Sequence, residues 1–185
     1  MEIDDQQALS QFLQPGESLQ WTGRPVTGLV LRKSDALMIP FSLLWGGFAL
    51  FWEYMAYSQG APSFFLLFGG AFLLVALYIV VGRFFYDMVR RSHTVYGLTG
   101  ERALILSGVL GRSLKAFNLK STPEVSVQLR ADGRGTIVFG SFSGIQTLMI
   151  NTSWPGSSQS SLPAFELVDN ASHVYQMIQS AQRKG

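Results

Sequence analysis

The sequence predicts an α+β membrane protein, in which a two-helix transmembrane hairpin precedes a cytoplasmic, seven-stranded antiparallel β-barrel or sandwich capped by a C-terminal helix. Three observations lead to this fold class. Two long uncharged stretches lie in the first half of the chain, basic residues flank them on the sides away from their short connection, and strand-like segments follow Arg91. The period of the hydrophobic residues distinguishes the helical from the extended segments.

The composition narrows the functional class. The chain has 185 residues, of which 48% are hydrophobic and 14% charged, whereas soluble domains carry about 25% charged residues. The net charge of +2 argues against a nucleic-acid-binding protein. Because there is no cysteine, a disulfide framework, a cysteine zinc knuckle and a thiol nucleophile are all excluded.

Two segments satisfy the length requirement for membrane spans. The first is uncharged from Ala36 to Trp52 and is predicted to span over 36–57; the second begins at Ser63 and is predicted over 63–86. A span needs about 20 apolar residues. The alternative, two buried helices of a soluble domain, is disfavoured because a chain of this size cannot wrap two helices that are apolar all round. Residues 58–62 form the predicted outer loop, where glycine and proline end both helices.

Basic residues predict the orientation of the hairpin. They precede the first span and follow the second, and the connecting loop has none. Since lysine and arginine are retained on the cytoplasmic side, both termini are expected in the cytoplasm. The predicted topology and interface charges are Arg32, Lys33, Arg83, Arg90 and Arg91.

Three features inside the spans have more than one interpretation. The pairs Gly46–Gly47 and Gly69–Gly70 favour a close approach of the two helices or reflect ordinary membrane glycine usage. Glu53 is expected to stay hydrated near the outer interface, with a proton relay as the alternative. Pro40 is expected to kink the first span.

The residues after Arg91 change to the pattern of a β-domain, predicted over 92–185, followed by a helix. Asp132–Gly133 is a hairpin turn signal, and Asp169 is a suitable N-cap for a helix whose apolar face includes Val174 and Ile178. Short strands with regular turns predict a small antiparallel barrel or sandwich. The predicted strands cover 93–98, 102–106, 113–119, 124–130, 135–139, 147–150 and 164–168.

The N-terminal segment 1–35 is predicted to be part of the cytoplasmic structure. A short amphipathic helix ends at Pro15–Gly16, and Glu17–Gly23 reads as a strand with Leu19 and Trp21 on one face. These apolar residues are expected to pack on the later domain or to lie at the membrane surface.

The order of several short motifs resembles a known family. Pro15 to Pro25 reads PGE-x-L-x-W-x-GRP, the two spans follow, and Arg90 to Leu106 reads RR-x-x-TVY-x-LT-x-x-RALIL. The last motif in this order is P-x-FE-x-VDNA, from Pro163 to Ala171. This order resembles bacterial membrane proteins with a pleckstrin-homology-like (bPH) domain. The resemblance implies a seven-stranded PH-type barrel with a C-terminal helix, in a protein located at the bacterial inner (plasma) membrane. It supplies no activity and no catalytic residues.

The residues give no sign of an enzyme. His93 and His173 lack partners at metal-ligand spacing. Gly133–Arg134–Gly135 lacks the spacing of a phosphate loop and is interpreted as a hairpin turn. Trp154 lies in a serine-rich loop and is expected to pack, with a partner or membrane contact as alternatives. No catalytic residue, cofactor, metal or small-molecule substrate is therefore predicted.

Two functions of different classes remain. In the first, the β-domain is a protein-interaction or assembly module at the cytoplasmic face, bound to a protein partner or to a second copy. In the second, it recognises anionic lipid headgroups through basic side chains near the membrane. Arg90 and Arg91 have a simpler interpretation as topology charges alone. The additional candidate headgroup ligands are Arg102, Arg112, Lys115 and Lys120.

Overall fold

The computed structural model describes residues 2–31, 35–109, 111–121, 124–140 and 163–183. In this part of the chain the fold is α+β, with four helices and two antiparallel sheets, which confirms the α+β part of the predicted fold class. The helices are α1 (Glu2–Ser10), α2 (Asp35–Ser58), α3 (Ser63–Ser92) and α4 (Ala171–Arg183). The strands are β1 (Leu19–Gly23), β2 (Thr94–Thr99), β3 (Arg102–Ser107), β4 (Ser113–Asn118), β5 (Val125–Leu129), β6 (Gly135–Phe139) and β7 (Ala164–Val168).

Helices α2 and α3 form an antiparallel hairpin. They have 24 and 30 residues and are long and apolar enough to cross a membrane. Gly60 adopts a left-handed conformation with φ of 66°, and the Ala61 N–H donates to the Ala56 carbonyl at 3.0 Å. This Schellman arrangement ends α2, because glycine accepts positive φ without steric cost. The predicted spans 36–57 and 63–86 lie inside these two helices.

Helix α3 continues beyond the predicted second span, to Ser92. A π-helical turn at Tyr78–Gly82 separates the apolar part, Ser63–Leu77, from a final charged part, Arg83–Ser92. Only His93 then stands between the helix and β2. The helix is longer than its apolar stretch because the charged face of its last part is buried against the β-domain.

The β-domain has one sheet of four strands and one of three. The first has the order β1-β2-β3-β4 and the second β5-β6-β7. Strand β1 pairs with β2, from Leu19 opposite Thr99 to Gly23 opposite Tyr96, so the N-terminal strand packs on the later domain. Within the described residues the two sheets do not close into a barrel. The predicted strand 147–150, Trp154, Arg32 and Lys33 lie outside the described residues.

Two cores stabilise the β-domain. The larger lies between the sheets and α4, with Leu98, Phe139 and Ile178 among its buried side chains. The smaller forms where α1 covers the outer face of the four-stranded sheet through Leu9. A Cβ atom at Gly97 would lie 2.8 Å from Leu9 Cδ1, so this glycine permits the close approach of α1. Because side chains alternate along a strand, both faces of β2 and β3 are buried.

The start of α4 differs from the prediction by one residue. Asn170, with φ of 50°, immediately precedes the helix, and its carbonyl accepts the N–H groups of His173 and Val174. Asp169, the predicted N-cap, instead accepts a hydrogen bond of 3.1 Å from Arg134. The Asp169 side chain thus binds Arg134 in the β5–β6 turn and does not cap α4.

Candidate functional site at the junction of the hairpin and the β-domain

One face of α3 is buried along its whole length. Gly69 and Ala76 form it in the apolar part, and Arg83, Asp87 and Arg91 form it in the charged part. Three of these five residues therefore carry ionisable side chains, which are buried where the hairpin meets the β-domain. Buried charges are costly unless they are paired, so their partners define the site.

Asp35 and Arg83 close the hairpin at its domain end. Their side chains are only 3% and 6% exposed, and Arg83 Nη2 lies 3.0 Å from Asp35 Oδ1. Asp35 is in the first turn of α2, where a carboxylate also interacts favourably with the helix dipole. The guanidinium of Arg83 lies 4.5 Å from the centroid of the Phe84 ring, a cation–π distance. Arg83, which was predicted to fix the topology, thus also joins α3 to α2 through an ion pair.

Asp87 holds two arginines of the last helical turns. Arg91 Nε donates to its carboxylate at 3.0 Å, and Arg90 Nη2 donates at 3.2 Å. Arg90 also contacts the Glu166 carboxylate of β7 at 3.3 Å. Through these contacts α3 is joined to the three-stranded sheet, which lies far away in the sequence.

Arg91 also fixes the backbone that leads into α2. Its guanidinium donates to the carbonyl of Gly28 at 2.6 Å and to the carbonyl of Val26. The Val26 N–H in turn donates to the Leu167 carbonyl of β7 at 3.1 Å. The buried Arg91 therefore connects α3 to the segment between β1 and α2. A backbone hydrogen bond connects the same segment to β7. The planar, multiply donating guanidinium suits this role better than an ammonium group.

Tyr96 completes the contact with β7. Its hydroxyl accepts a hydrogen bond of 3.0 Å from the Glu166 N–H. Burial of the phenol raises the pKa of Tyr96, with the Glu166 carboxylate adding to this effect. The hydroxyl consequently remains neutral, as its place among packed aromatic rings requires.

A separate ion pair, outside the junction, attaches the N-terminal segment to the β-domain. Arg102 on β3 forms a two-point contact with the Glu17 carboxylate, which also accepts from the Thr99 hydroxyl at 2.7 Å. The hydrogen bond from Arg102 is the largest of the effects that lower the pKa of Glu17, from 4.5 to about 2. Arg24 pairs similarly with Asp5 of α1, and this pairing raises the pKa of Arg24. One ion pair thus binds the residues before β1 to β3, and the other binds α1 to the residue directly after β1.

Strand register separates the predicted headgroup ligands. Thr94, two residues after the end of α3, faces Ser107, and Ser107 faces Ser113. Exposed Arg112 therefore lies at the α3 end of the sheet, whereas Arg102, opposite Asn118, lies about 17 Å away at the other end. Lys115 is half-buried on β4, and exposed Lys120 follows β4 at the far end. The four residues do not form one cluster along the sheet.

The helix interface resolves the two interpretations of the glycine pairs. A Cβ atom at Gly69 would overlap the Glu53 carboxylate and lie 2.7 Å from Trp52 Cζ3, and one at Gly46 would contact Ala76 at 3.7 Å. Gly47 and Gly70 have nothing within 4 Å. One glycine of each pair therefore faces the other helix. In the described part of the chain, Glu53 Oε2 is buried without a hydrogen-bond partner.

Sequence reasoning identified the basic residues of the junction but missed their acidic partners. Asp35, Asp87 and Glu166 received no role, although Asp87 and Arg91 stand four residues apart in one helix, where such pairs meet. The spacing of Arg83, Asp87 and Arg91 was the available signal. Glu166 offered none, because it contacts Arg90 across 76 positions of sequence.

The remaining described surface offers little further chemistry. An open cleft of about 530 Å³ lies between α4 and the β2–β3 turn, with Glu101, His173 and Met177 among its lining residues. Among the residues that the structure describes, no group of three histidine, aspartate or glutamate side chains is placed to hold a metal ion.

Comparison of the chain with protein-family models, with curated proteins and with solved structures finds no match in any of the three. The functional assignment consequently depends on the geometry of the junction.

Proposed function

We propose that the chain is a bacterial inner-membrane protein whose PH-like β-domain is held at the cytoplasmic face and serves as a protein-interaction or assembly module. The α2–α3 hairpin is the anchor, with both termini in the cytoplasm. The basic residues at the domain end of the hairpin and the resemblance to bPH-domain membrane proteins support this orientation and location.

The observation that carries the proposal is the absence of a flexible linker at the junction. Helix α3 passes into β2 across one residue, and Arg90 and Arg91 bind β7 and the segment before α2. A domain held in this way keeps one orientation relative to its anchor. Preorganisation lowers the entropic cost of binding, so a fixed domain suits repeated contact with a partner in the same membrane.

The expected partner is another protein or a second copy of the chain. In-cell photo-crosslinking from the full-length chain tests this. A photoreactive residue is placed at exposed Ala116 on β4 or Gln128 on β5, with lipid-facing Phe64 as the matched control in the hairpin. The expected result is a defined protein adduct from the domain positions, whose mass and tag content distinguish a second copy from another protein. Lipid adducts alone, together with a monomeric mass in mild detergent, would contradict the proposal.

Recognition of anionic lipid is the second candidate, favoured by the exposure of Arg112 at the α3 end of the sheet. Arg102 contributes less to this alternative, since Glu17 already binds its guanidinium. The test uses the whole chain in nanodiscs, because β1 and Leu9 belong to the β-domain and segment 92–185 alone lacks them. Enrichment of co-purified phosphatidylglycerol that is lost in Arg112→Glu would favour lipid recognition over protein interaction.

A further inference from the structure

We propose that the segment Val26–Leu31 is a membrane-docking surface, whose exposed leucines lie in the lipid interface beside the anchor. This inference rests on the proposed membrane anchoring and adds the surface by which the β-domain meets the bilayer. The partner is the lipid interface itself, recognised through apolar side chains and not through a particular headgroup.

The first observation is the exposure of two leucines in a fixed stretch of chain. Leu29 and Leu31 are 70% and 64% exposed, whereas Val30 between them is half-buried, so the two leucines lie on the same outer side of the segment. Isolated exposed leucines are common on soluble proteins. Here, however, the exposed pair is held in position by the fold.

Four hydrogen bonds fix this segment at both ends. Arg91 binds the Val26 and Gly28 carbonyls, and the Val26 N–H bonds the Leu167 carbonyl. At the other end, Arg130 Nη2 donates to the Leu31 carbonyl at 3.2 Å. Gly28 has φ of 98°, a left-handed conformation that turns the chain between the contacts of Arg91 and the first leucine. The leucines are therefore presented by the β-domain in one orientation.

The second observation is the position of the segment relative to α2. Leu31 precedes Asp35, the first residue of that helix, by four positions, so its Cα lies at most about 14 Å from the helix start. The headgroup region on each side of a bilayer is about 5–8 Å thick. If α2 begins at the inner boundary of the hydrocarbon region, this upper limit keeps Leu31 in or next to the headgroup layer.

The residues beside the segment have the composition of an interfacial surface. Leu129, at the end of β5, is exposed, and it immediately precedes Arg130, whose guanidinium binds Leu31. Arginine beside exposed apolar side chains suits the interface, because its stem lies along apolar surface while its charge reaches the headgroups. On the same turn, Asp132 pairs with Arg134 at 3.7 Å. Because the charges on this turn are balanced, the surface has no excess positive charge that would select an anionic headgroup.

Spin-label accessibility measures the depth of these residues directly. The chain has no cysteine, so single substitutions Leu29→Cys, Leu31→Cys and Leu129→Cys each give one labelling site in the full chain, reconstituted in nanodiscs. Oxygen concentrates in lipid and a water-soluble nickel chelate remains in water. Leu67→Cys, on the exposed side of α3, is the lipid control, and Glu101→Cys, at the far end of the β-domain, is the water control.

The expected result is a ratio of oxygen to nickel accessibility that is several-fold higher at positions 29 and 31 than at 101, and closer to that at 67. Water-like values at 29 and 31 with a lipid-like value at 67 would overturn this inference and leave the anchoring intact. A water-like value at 67 would overturn the anchoring itself. Low accessibility to both reagents at 29 and 31 would show that protein covers the leucines, and would also overturn the inference.

Discussion

The two parts of α3 bury the same face with opposite chemistry. In the apolar part that face is made of Gly69 and Ala76, and in the charged part of Arg83, Asp87 and Arg91. Lipid tails are as apolar as leucine, so helices in a bilayer associate through close packing, which small residues permit. At the domain end, long guanidinium groups reach several elements at once. The helical period places these residues on one face of α3. Whether that face carries small or charged residues depends on whether it packs on α2 alone or also on the β-domain.

The difference extends to what each part specifies. The small residues bring only α2 and α3 together, whereas the charged residues join α3 to α2, to the segment before α2 and to β7. Replacement of a buried ion pair by apolar residues is often neutral or stabilising, but removal of one partner is strongly destabilising. Substitutions in the charged part should therefore have larger effects than those in the apolar part.

The largest effect is expected from Asp87→Asn. The substitution keeps the shape of the side chain but leaves Arg91 buried without its carboxylate partner and weakens the position of Arg90. We expect a loss of about 3–5 kcal/mol in the free energy of unfolding. Chaotrope unfolding of the full chain in mild detergent, followed by tryptophan fluorescence, measures it.

The control for Asp87→Asn is Glu101→Gln, which removes one negative charge from an exposed turn. Exposed substitutions of this kind change stability by at most about 0.5 kcal/mol. An equally small effect at Asp87 would mean that the charged part of α3 is not held by its ion pairs.

The next largest effect is expected from Glu17→Gln, which tests whether ion pairing also fastens the N-terminal segment. The loss should be about 2 kcal/mol at neutral pH, the scale of hydrogen bonds to charged groups. Because the pKa of Glu17 is lowered to about 2 in the folded chain, its stabilising contribution is present above the ordinary value of 4.5. That contribution is lost as the pH falls through about 2.

Urea unfolding of the original chain and of Glu17→Gln at a series of pH values measures this. The difference between the two should be constant from pH 7 to about 5 and should shrink at lower pH, since only the original chain can gain the proton. A difference that does not change with pH would assign the effect to packing.

A smaller effect is expected in the apolar part, from Gly69→Ala. The added methyl group overlaps the Glu53 carboxylate and approaches Trp52. Because both contacts are to side chains that can move, we expect a loss of about 1 kcal/mol, at the low end for overpacking. Gly70→Ala is the matched control, since its Cβ meets nothing within 4 Å. Thermal unfolding followed by far-ultraviolet circular dichroism compares the two, and equal effects would place Gly69 outside the helix interface.

The sequence predicted elements better than it predicted contacts. The hairpin was readable because each span is defined by a local property, the absence of charge over about 20 residues. The strands at 102–106 and 135–139 were readable from their local pattern, and these ranges lie in β3 and β6. The ion pairs could not be predicted, because their partners are distant in the sequence. Glu17 and Arg102, for example, are 85 positions apart. A sequence shows that an arginine is charged, but only the fold shows which carboxylate it meets.

The smallest effect is expected from Arg112→Gln, and its comparison with Arg102→Gln separates the two kinds of arginine that the sequence could not distinguish. Both substitutions remove one positive charge from the β-domain. Arg112 is exposed in the β3–β4 loop, so its loss should change the free energy of unfolding by less than about 0.5 kcal/mol. Arg102→Gln leaves the Glu17 carboxylate without its main partner, so it should cost about 2 kcal/mol. Urea unfolding at neutral pH compares them directly. Equal losses would mean that net charge, and not the particular ion pair, governs the stability of the domain, and the distinction between the buried and the exposed arginines would have to be abandoned.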